Sequence, residues 1–431
     1  MKKIVLWSVI SILIIGILAA STWWLRRPQI ITLSDGMKLT LVGVTYGKHH
    51  VAPKIKIAGG RARDGVARID STNDTVVVWI EAEHKPNQYP NYQLMVYDKA
   101  NTACVSTWTR TQSQIKNGVE IQGFMLGAYP RRDSKIYLHI MSYGQRGEQL
   151  AKGQFVVSNP ARGKIFSNWT PDPLPNTQSD GDLDVTLNKL VANAPSPYTR
   201  NGISKNDPAG KVVQIDFDAQ QKGQSVTNWR PVQVETTDAT GNYIKGYIND
   251  YHQNGETSGY FYQPGLWPDE PAWKVRVEFS RTAGFSDDEL WSVTNIPVRP
   301  GSQQDAQISW GNQGSDRAKP AFAETTLNGI HVKLFPAIQY TSPNYGNGGG
   351  NGKVVSVTFK TDPDPESSGL RLTPLSVTDD QGHPLNHQGA SWGGGNFQYE
   401  FPEPRNIESV NVTIALHKSR FVEFTIKPAK Q

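Results

Sequence analysis

Trp267 lies in the loop Pro264-Gly265-Leu266-Trp267-Pro268 and is the ring least explained by ordinary core packing. Flat aromatic rings stack on the apolar faces of sugars. The stretch from Tyr243 to Trp273 is rich in them: Tyr247, Tyr251, Tyr260, Tyr262, Trp267 and Trp273. Tyr260-Phe261-Tyr262 has counterparts elsewhere in the chain that read as core strand, so Trp267 is left as the candidate binding residue. His49-His50 is the only His-His pair. Neighbouring residues on a strand face opposite sides, so the pair is poorly placed to hold one metal ion. Asp180, Asp182 and Asp184 alternate along the chain, and Asp362, Asp364 and Glu366 do so between prolines. Calcium takes clustered oxygens, but the EF-hand pattern needs a closing glutamate, and position 191 is Val. Acidic turns between strands are the plainer reading. Cys104 is the only cysteine and reads as a small buried hydrophobe. The Gly-rich stretch Asn344–Gly352 is followed by a strand, not by the helix and Lys-Ser/Thr of a phosphate loop. No Gly-x-Ser-x-Gly elbow or His-Glu-x-x-His helix occurs. The expectation is no catalytic residue, no metal and no cofactor.

The elements that carry these residues recur along the chain. Asp35-Gly36, Asp180-Gly181 and Asn328-Gly329 each precede an alternating strand: Lys38–Val44, Leu183–Leu187 and Ile330–Phe335. A second strand follows, and Gly-Lys-Val-Val occurs verbatim at Gly210–Val213 and Gly352–Val355, with Thr75–Val78 in the first copy. A third strand ends in Asp98–Asn101, Asp238–Gly241 or Asp379–Gly382, turns that lie 140 and 141 residues apart. An aromatic or apolar strand comes next: Phe124-Met125-Leu126, Tyr260-Phe261-Tyr262 and Phe397–Phe401. A proline (Pro130, Pro271, Pro404) then precedes the penultimate strand. Tandem repetition points to repeated structural modules.

The 431 residues allow two to four domains with their own cores. Gly (39) and Pro (28) favour turns over long helices. The formal net charge is +5, but without Lys2, Lys3, Arg26 and Arg27 the count is 40 basic against 39 acidic residues. No concentrated basic face is present, which argues against nucleic acid as a partner. One cysteine excludes an intrachain disulfide. Ile4 to Trp24 is 21 residues without a charge, long enough as a helix to cross roughly 30 Å of hydrocarbon. Trp7, Trp23 and Trp24 sit where interfacial rings belong. A retained signal anchor is expected, which makes the membrane a partner. Cleavage near Ala19-Ala20-Ser21 is the alternative. Leu18-Ala19-Ala20-Ser21 resembles the lipobox of bacterial lipoproteins, with Ser21 in place of the essential cysteine, so no lipid anchor is carried over.

Six to eight short strands per copy imply an all-β chain of three tandem antiparallel β-sandwich modules behind one N-terminal transmembrane or signal-anchor helix. The expected divisions are 1–27 for the anchor, 33–160, 182–300 and 324–428 for the modules, and linkers at 161–181 and 301–323. This layout resembles immunoglobulin-like modules of bacterial surface proteins, without their Cys…Trp…Cys pattern. Leu41–His50 resembles an N-terminal strand motif of uncharacterised exported bacterial proteins. Both resemblances imply a bacterial envelope setting, with the body in the periplasm or outside the cell, or secretion after cleavage. They imply no activity. The expected role is a non-catalytic binding, adhesion or scaffold protein with a protein or carbohydrate ligand. A polysaccharide-active enzyme and a membrane-complex assembly subunit are the alternatives.

Overall fold

The computed structural model describes residues 29–33, 36–53, 55–56, 62–63, 67–83, 92–100, 102–105, 110–115, 119–143, 149–197, 211–253, 256–306, 320–342, 352–387, 389–403 and 405–430. These form an all-β structure of several, mostly antiparallel sheets. Among the described residues the helical pieces are the single turn Gln303–Ala306 and two 3-10 turns, Asp287–Glu289 and Pro365–Ser368. Residues 4–24, read as a signal anchor, lie outside the described residues. Among the described residues no helix is long and apolar enough to cross a membrane.

The repeat is a repeat of hydrogen bonding. In the first copy Lys38–Val51 pairs with Arg68–Glu83, which pairs with Val119–Leu126. In the second the order is Leu183–Pro195, Lys211–Gln221, Glu256–Gln263. In the third it is Ile330–Leu334, Gly352–Asp362, Asn396–Pro402. The strand before the aspartate turn pairs each time with the strand after the proline: Tyr92–Tyr97 with Lys135–Tyr143, Trp229–Asp238 with Trp273–Arg281, and Leu370–Asp379 with Ser409–Lys418. Asn176–Asp180, read from the sequence as linker, forms a hairpin with Leu183–Leu187.

The aspartate turns are built alike. Asp98 Oδ1 accepts from the N–H groups of Ala100 (2.9 Å) and Thr102 (2.7 Å). Asp238 Oδ1 accepts from Thr240 (2.8 Å) and Asn242 (3.1 Å). Asp379 Oδ1 accepts from Gln381 (3.0 Å) and His383 (2.7 Å). One short side chain thus satisfies two donors that the ending strand leaves unpaired. Gly241 and Gly382 take φ of 88° and 85°, the left-handed region in which a Cβ is strained.

The last strands are exchanged. In the first copy Gln149–Ser158 follows Lys135–Tyr143 and pairs with it. After Trp273–Arg281 the chain instead crosses over, and Leu290–Pro300 pairs with Ser409–Lys418 of the third copy. The C-terminal strand Arg420–Ile426 returns and pairs with Trp273–Arg281 of the second. The divisions 182–300 and 324–428 place Leu290–Pro300 with the second module and Arg420–Ile426 with the third. The hydrogen bonds run the other way. Asp180 and Asp182 hold the returning strand: Asp180 Oδ2 accepts from Phe421 N–H at 2.8 Å, and the Arg420 guanidinium reaches both carboxylates.

The first two copies also lock together through equivalent loops. From the first, Tyr129 N–H and Arg131 Nε donate to Asn242 Oδ1 in the second aspartate turn, both at 3.1 Å. From the second, Trp267 Nε1 donates to Thr102 O in the first aspartate turn at 3.1 Å. One apolar core runs through both copies, from Leu33 to Phe424 and Ile426. A second core fills the third copy, from Ile296 to Leu416. In the third copy Arg405 closes on its own turn, meeting Asp379 Oδ2 at 3.0 Å. Trp267→Phe keeps most of the ring volume and removes only the N–H. It should cost about 1 kcal/mol of stability in a thermal melt.

Candidate functional site: the cleft between the second and third repeats

Where the exchanged strands bring the second and third copies together, a cleft of about 430 Å³ opens. One wall comes from the second copy: Arg230, Val232, Ser280 and Thr282. The facing wall is Leu372–Val377, on a strand that lies at the edge of its sheet. Pro374 explains both the edge position and the opening. It has no N–H to give a further strand, and the register slips between Pro374 and Ser376. Phe397, Tyr399 and Phe401 form the floor, and Pro384 to His387 form part of the rim. His387 leans on that floor, its ring 5.7 Å from both Tyr399 and Phe401. Burial and the nearby Arg230 charge push its imidazole below the usual range, which favours the neutral ring.

A buried polar layer underlies the cleft. Glu278, only 6% exposed, accepts from Arg371 Nη1 at 3.1 and 3.2 Å and from Ser419 Oγ at 2.6 Å. His417 is fully buried. Its Nδ1 lies 3.2 Å from Lys418 O, which assigns the proton to Nδ1. Nε2 is then an acceptor with two hydroxyls in reach, Ser280 Oγ at 3.2 Å and Thr373 Oγ1 at 3.5 Å, and Ser280 Oγ has Arg281 O as a second acceptor at 3.4 Å. Among the described residues the Ser280–His417 pair comes nearest to a nucleophile and its base. Ser280 is itself 3% exposed, which leaves little access to its oxygen.

Burial pushes the His417 imidazole below its ordinary value of 6.5. The unfolded chain therefore takes up this proton before the folded one does. The stability from neutral His417 is complete above about pH 6.5 and is lost as the pH falls below it. Thermal melts from pH 7.5 down to 5 should show a falling midpoint. His417→Gln should remove its share of that dependence, because an amide takes up no proton in this range, and leave the share of His50, His139 and His387, whose imidazoles burial also pushes down.

The sequence-derived candidates lie elsewhere. Trp267 is 3% exposed, within the contact between the first two copies, and offers no open ring face to a sugar. Tyr262 and Trp273 are in the core, while Tyr243 and Tyr247 stand exposed on the outer sheet face. His49 is exposed beside Asp70 at 2.8 Å, and His50 is buried between Thr45 and Thr75, so the two rings do face apart. Asp180 and Asp182 hold the C-terminal strand, and Asp184 accepts from Ser179 Oγ. Asp364 caps the turn Pro365–Ser368, and Glu366 pairs with Lys245 at 3.5 Å. Cys104 lies on the short strand Ala103–Val105; residues 344–351 of the Gly-rich stretch lie outside the described residues, and Gly352 opens the strand Gly352–Asp362. Sequence reasoning missed Arg230, Arg371 and His387. No local spacing marks them, since Arg371 and Glu278 are 93 residues apart. The one usable signal was Pro374 inside an alternating strand.

No protein-family profile matches this chain. No curated protein is significantly similar to it in sequence.

Proposed function

We propose that this chain is a non-catalytic binding protein, an array of three sandwich-like units whose ligand enters the cleft between the second and third. The observation that carries the reading is the cleft itself. It combines an aromatic floor with polar groups from two repeats, as small-ligand sites do, and its size falls within their range of roughly 300–1,000 Å³. The tether is supported by sequence alone: the uncharged segment 4–24 and the basic residues around it suit an anchored protein with an extracytoplasmic body.

The enzyme reading has one observation in its favour, the Ser280–His417 pair. An organophosphorus serine probe separates the two. Labelling of Ser280 in the native protein would overturn the non-catalytic reading, whereas no labelling is expected. The cleft itself is tested by blocking it. Ala390→Trp fills it from the wall, and Ser376→Tyr does so from an exposed position. Ligands found by nuclear magnetic resonance screening against sugars and peptides should lose binding in both variants, with the melting midpoint retained in at least one. Binding that survives both blocks overturns the cleft as the site.

A further inference from the structure

We infer that the cleft takes a carboxylate-bearing sugar residue, a uronate-type ring, with its acid on Arg230. The inference rests on the reading of the cleft as the ligand site and adds the chemistry of the ligand.

Charge is the first argument. Three ionic side chains line the cleft: Arg230, Arg371 and Glu366. Arg371 is matched by Glu278 at 3.1 Å, and Lys245 by Glu366 at 3.5 Å. Arg230 is exposed in the cleft wall; Asp216 and Asp250 act with it on the Tyr260 hydroxyl, but among the described residues neither forms an ion pair with it. With Arg371 and Glu366 each held in an ion pair, the remaining charge of the lining is Arg230, a planar fork that suits a carboxylate. One charge is too few for a polyphosphate or nucleic-acid backbone, which takes several cations.

The rest of the lining selects among carboxylates. A fatty acid would need a continuous apolar wall, and here the apolar surface is interrupted by Thr282, Ser376 and Asn386. Those side chains offer donors and acceptors at several points, as a ring carrying several hydroxyls requires. Pro374, Leu375 and the His387 ring supply the apolar contact that the C–H face of a sugar seeks. An acid at one end, hydroxyls around the edge and an apolar face together describe a uronate.

Calorimetric titration of the full chain with digalacturonate and with its methyl ester tests this. The acid should bind at least about tenfold more tightly than the ester, since the ester lacks one charge-assisted contact. Arg230→Gln should remove that preference, and Ala390→Trp and Ser376→Tyr should remove binding of both forms. Equal binding of acid and ester, a preference that persists in Arg230→Gln, or no binding of the acid at millimolar concentration overturns the inference. If both forms bind equally and the blocked variants bind neither, the charge argument falls and the cleft remains the site. If binding survives in the blocked variants, the cleft reading falls with it.

Discussion

Deleting residues 420–431 should unfold the second repeat, although none of the deleted residues lies near it in sequence. The strand Arg420–Ile426 supplies the edge next to Trp273–Arg281, with Val422, Phe424 and Ile426 no more than 2% exposed in the shared core. Burying each such side chain contributes about 1.5–3 kcal/mol, so the three together approach the 5–15 kcal/mol by which a typical domain is stable. The deletion also frees the Asp180 and Asp182 carboxylates from Arg420 and Phe421 N–H, and it removes the pairing of Ala429–Lys430 with Val191–Ala192. A single substitution gives the graded form. Phe424→Ala should cost about 3–5 kcal/mol, the range for truncating a large buried ring. Amide hydrogen exchange locates the damage. Loss of protection should appear in Lys211–Gln221 and Trp273–Arg281 and spare the third-copy pair Ile330–Leu334 and Gly352–Asp362. A deletion variant that melts with its second repeat fully protected would show the returning strand to be dispensable.

The exchange explains why part of the architecture was legible in the sequence and part was not. The aspartate turns could be read because each is closed within five residues, and every residue type they need stands in that window. The strand order within each repeat could also be read, because alternation and turns are local signals. The partner of a last strand is not a local property. Leu290–Pro300 and Arg420–Ile426 follow equivalent penultimate strands, so pattern alone lets each complete either repeat. The choice is made by contacts far apart in sequence, such as Asp180 with Phe421 N–H across 241 residues. The burial of Trp267 is not a local property either. Its Pro-Gly-Leu-Trp-Pro setting reads as an exposed loop, and only the neighbouring repeat, with Thr102 O 165 residues away, takes it out of solvent. The cleft had no sequence signature because it exists only where two repeats meet.

Arg371→Ala should be the most costly single polar substitution at that meeting point. Glu278 is 6% exposed, and its charge is held by Arg371 from the third copy and by Ser419, the residue just before the returning strand. Removing the guanidinium leaves a buried carboxylate with one hydroxyl donor, and breaking a buried pair from one side typically costs about 3–5 kcal/mol. Most of that cost is the unpaired charge and not the lost attraction, which fixes the expected outcome of a double-mutant cycle. Glu278→Gln alone should also destabilise, because it leaves Arg371 without its carboxylate. Arg371→Ala with Glu278→Gln should recover much of the loss, because a neutral amide is far cheaper to bury than an ion. Urea unfolding of the four proteins supplies the cycle. Additive losses, with no recovery in the double variant, would mean that Arg371 acts through packing of its stem and not through charge. Recovery would identify the unpaired charge as the cause of the loss: the site tolerates neutral replacement of both partners but not loss of one. In either case the third copy senses the change together with the second, since Ser419 joins Ser409–Lys418 to the returning strand and hydrogen-bonds the carboxylate between them.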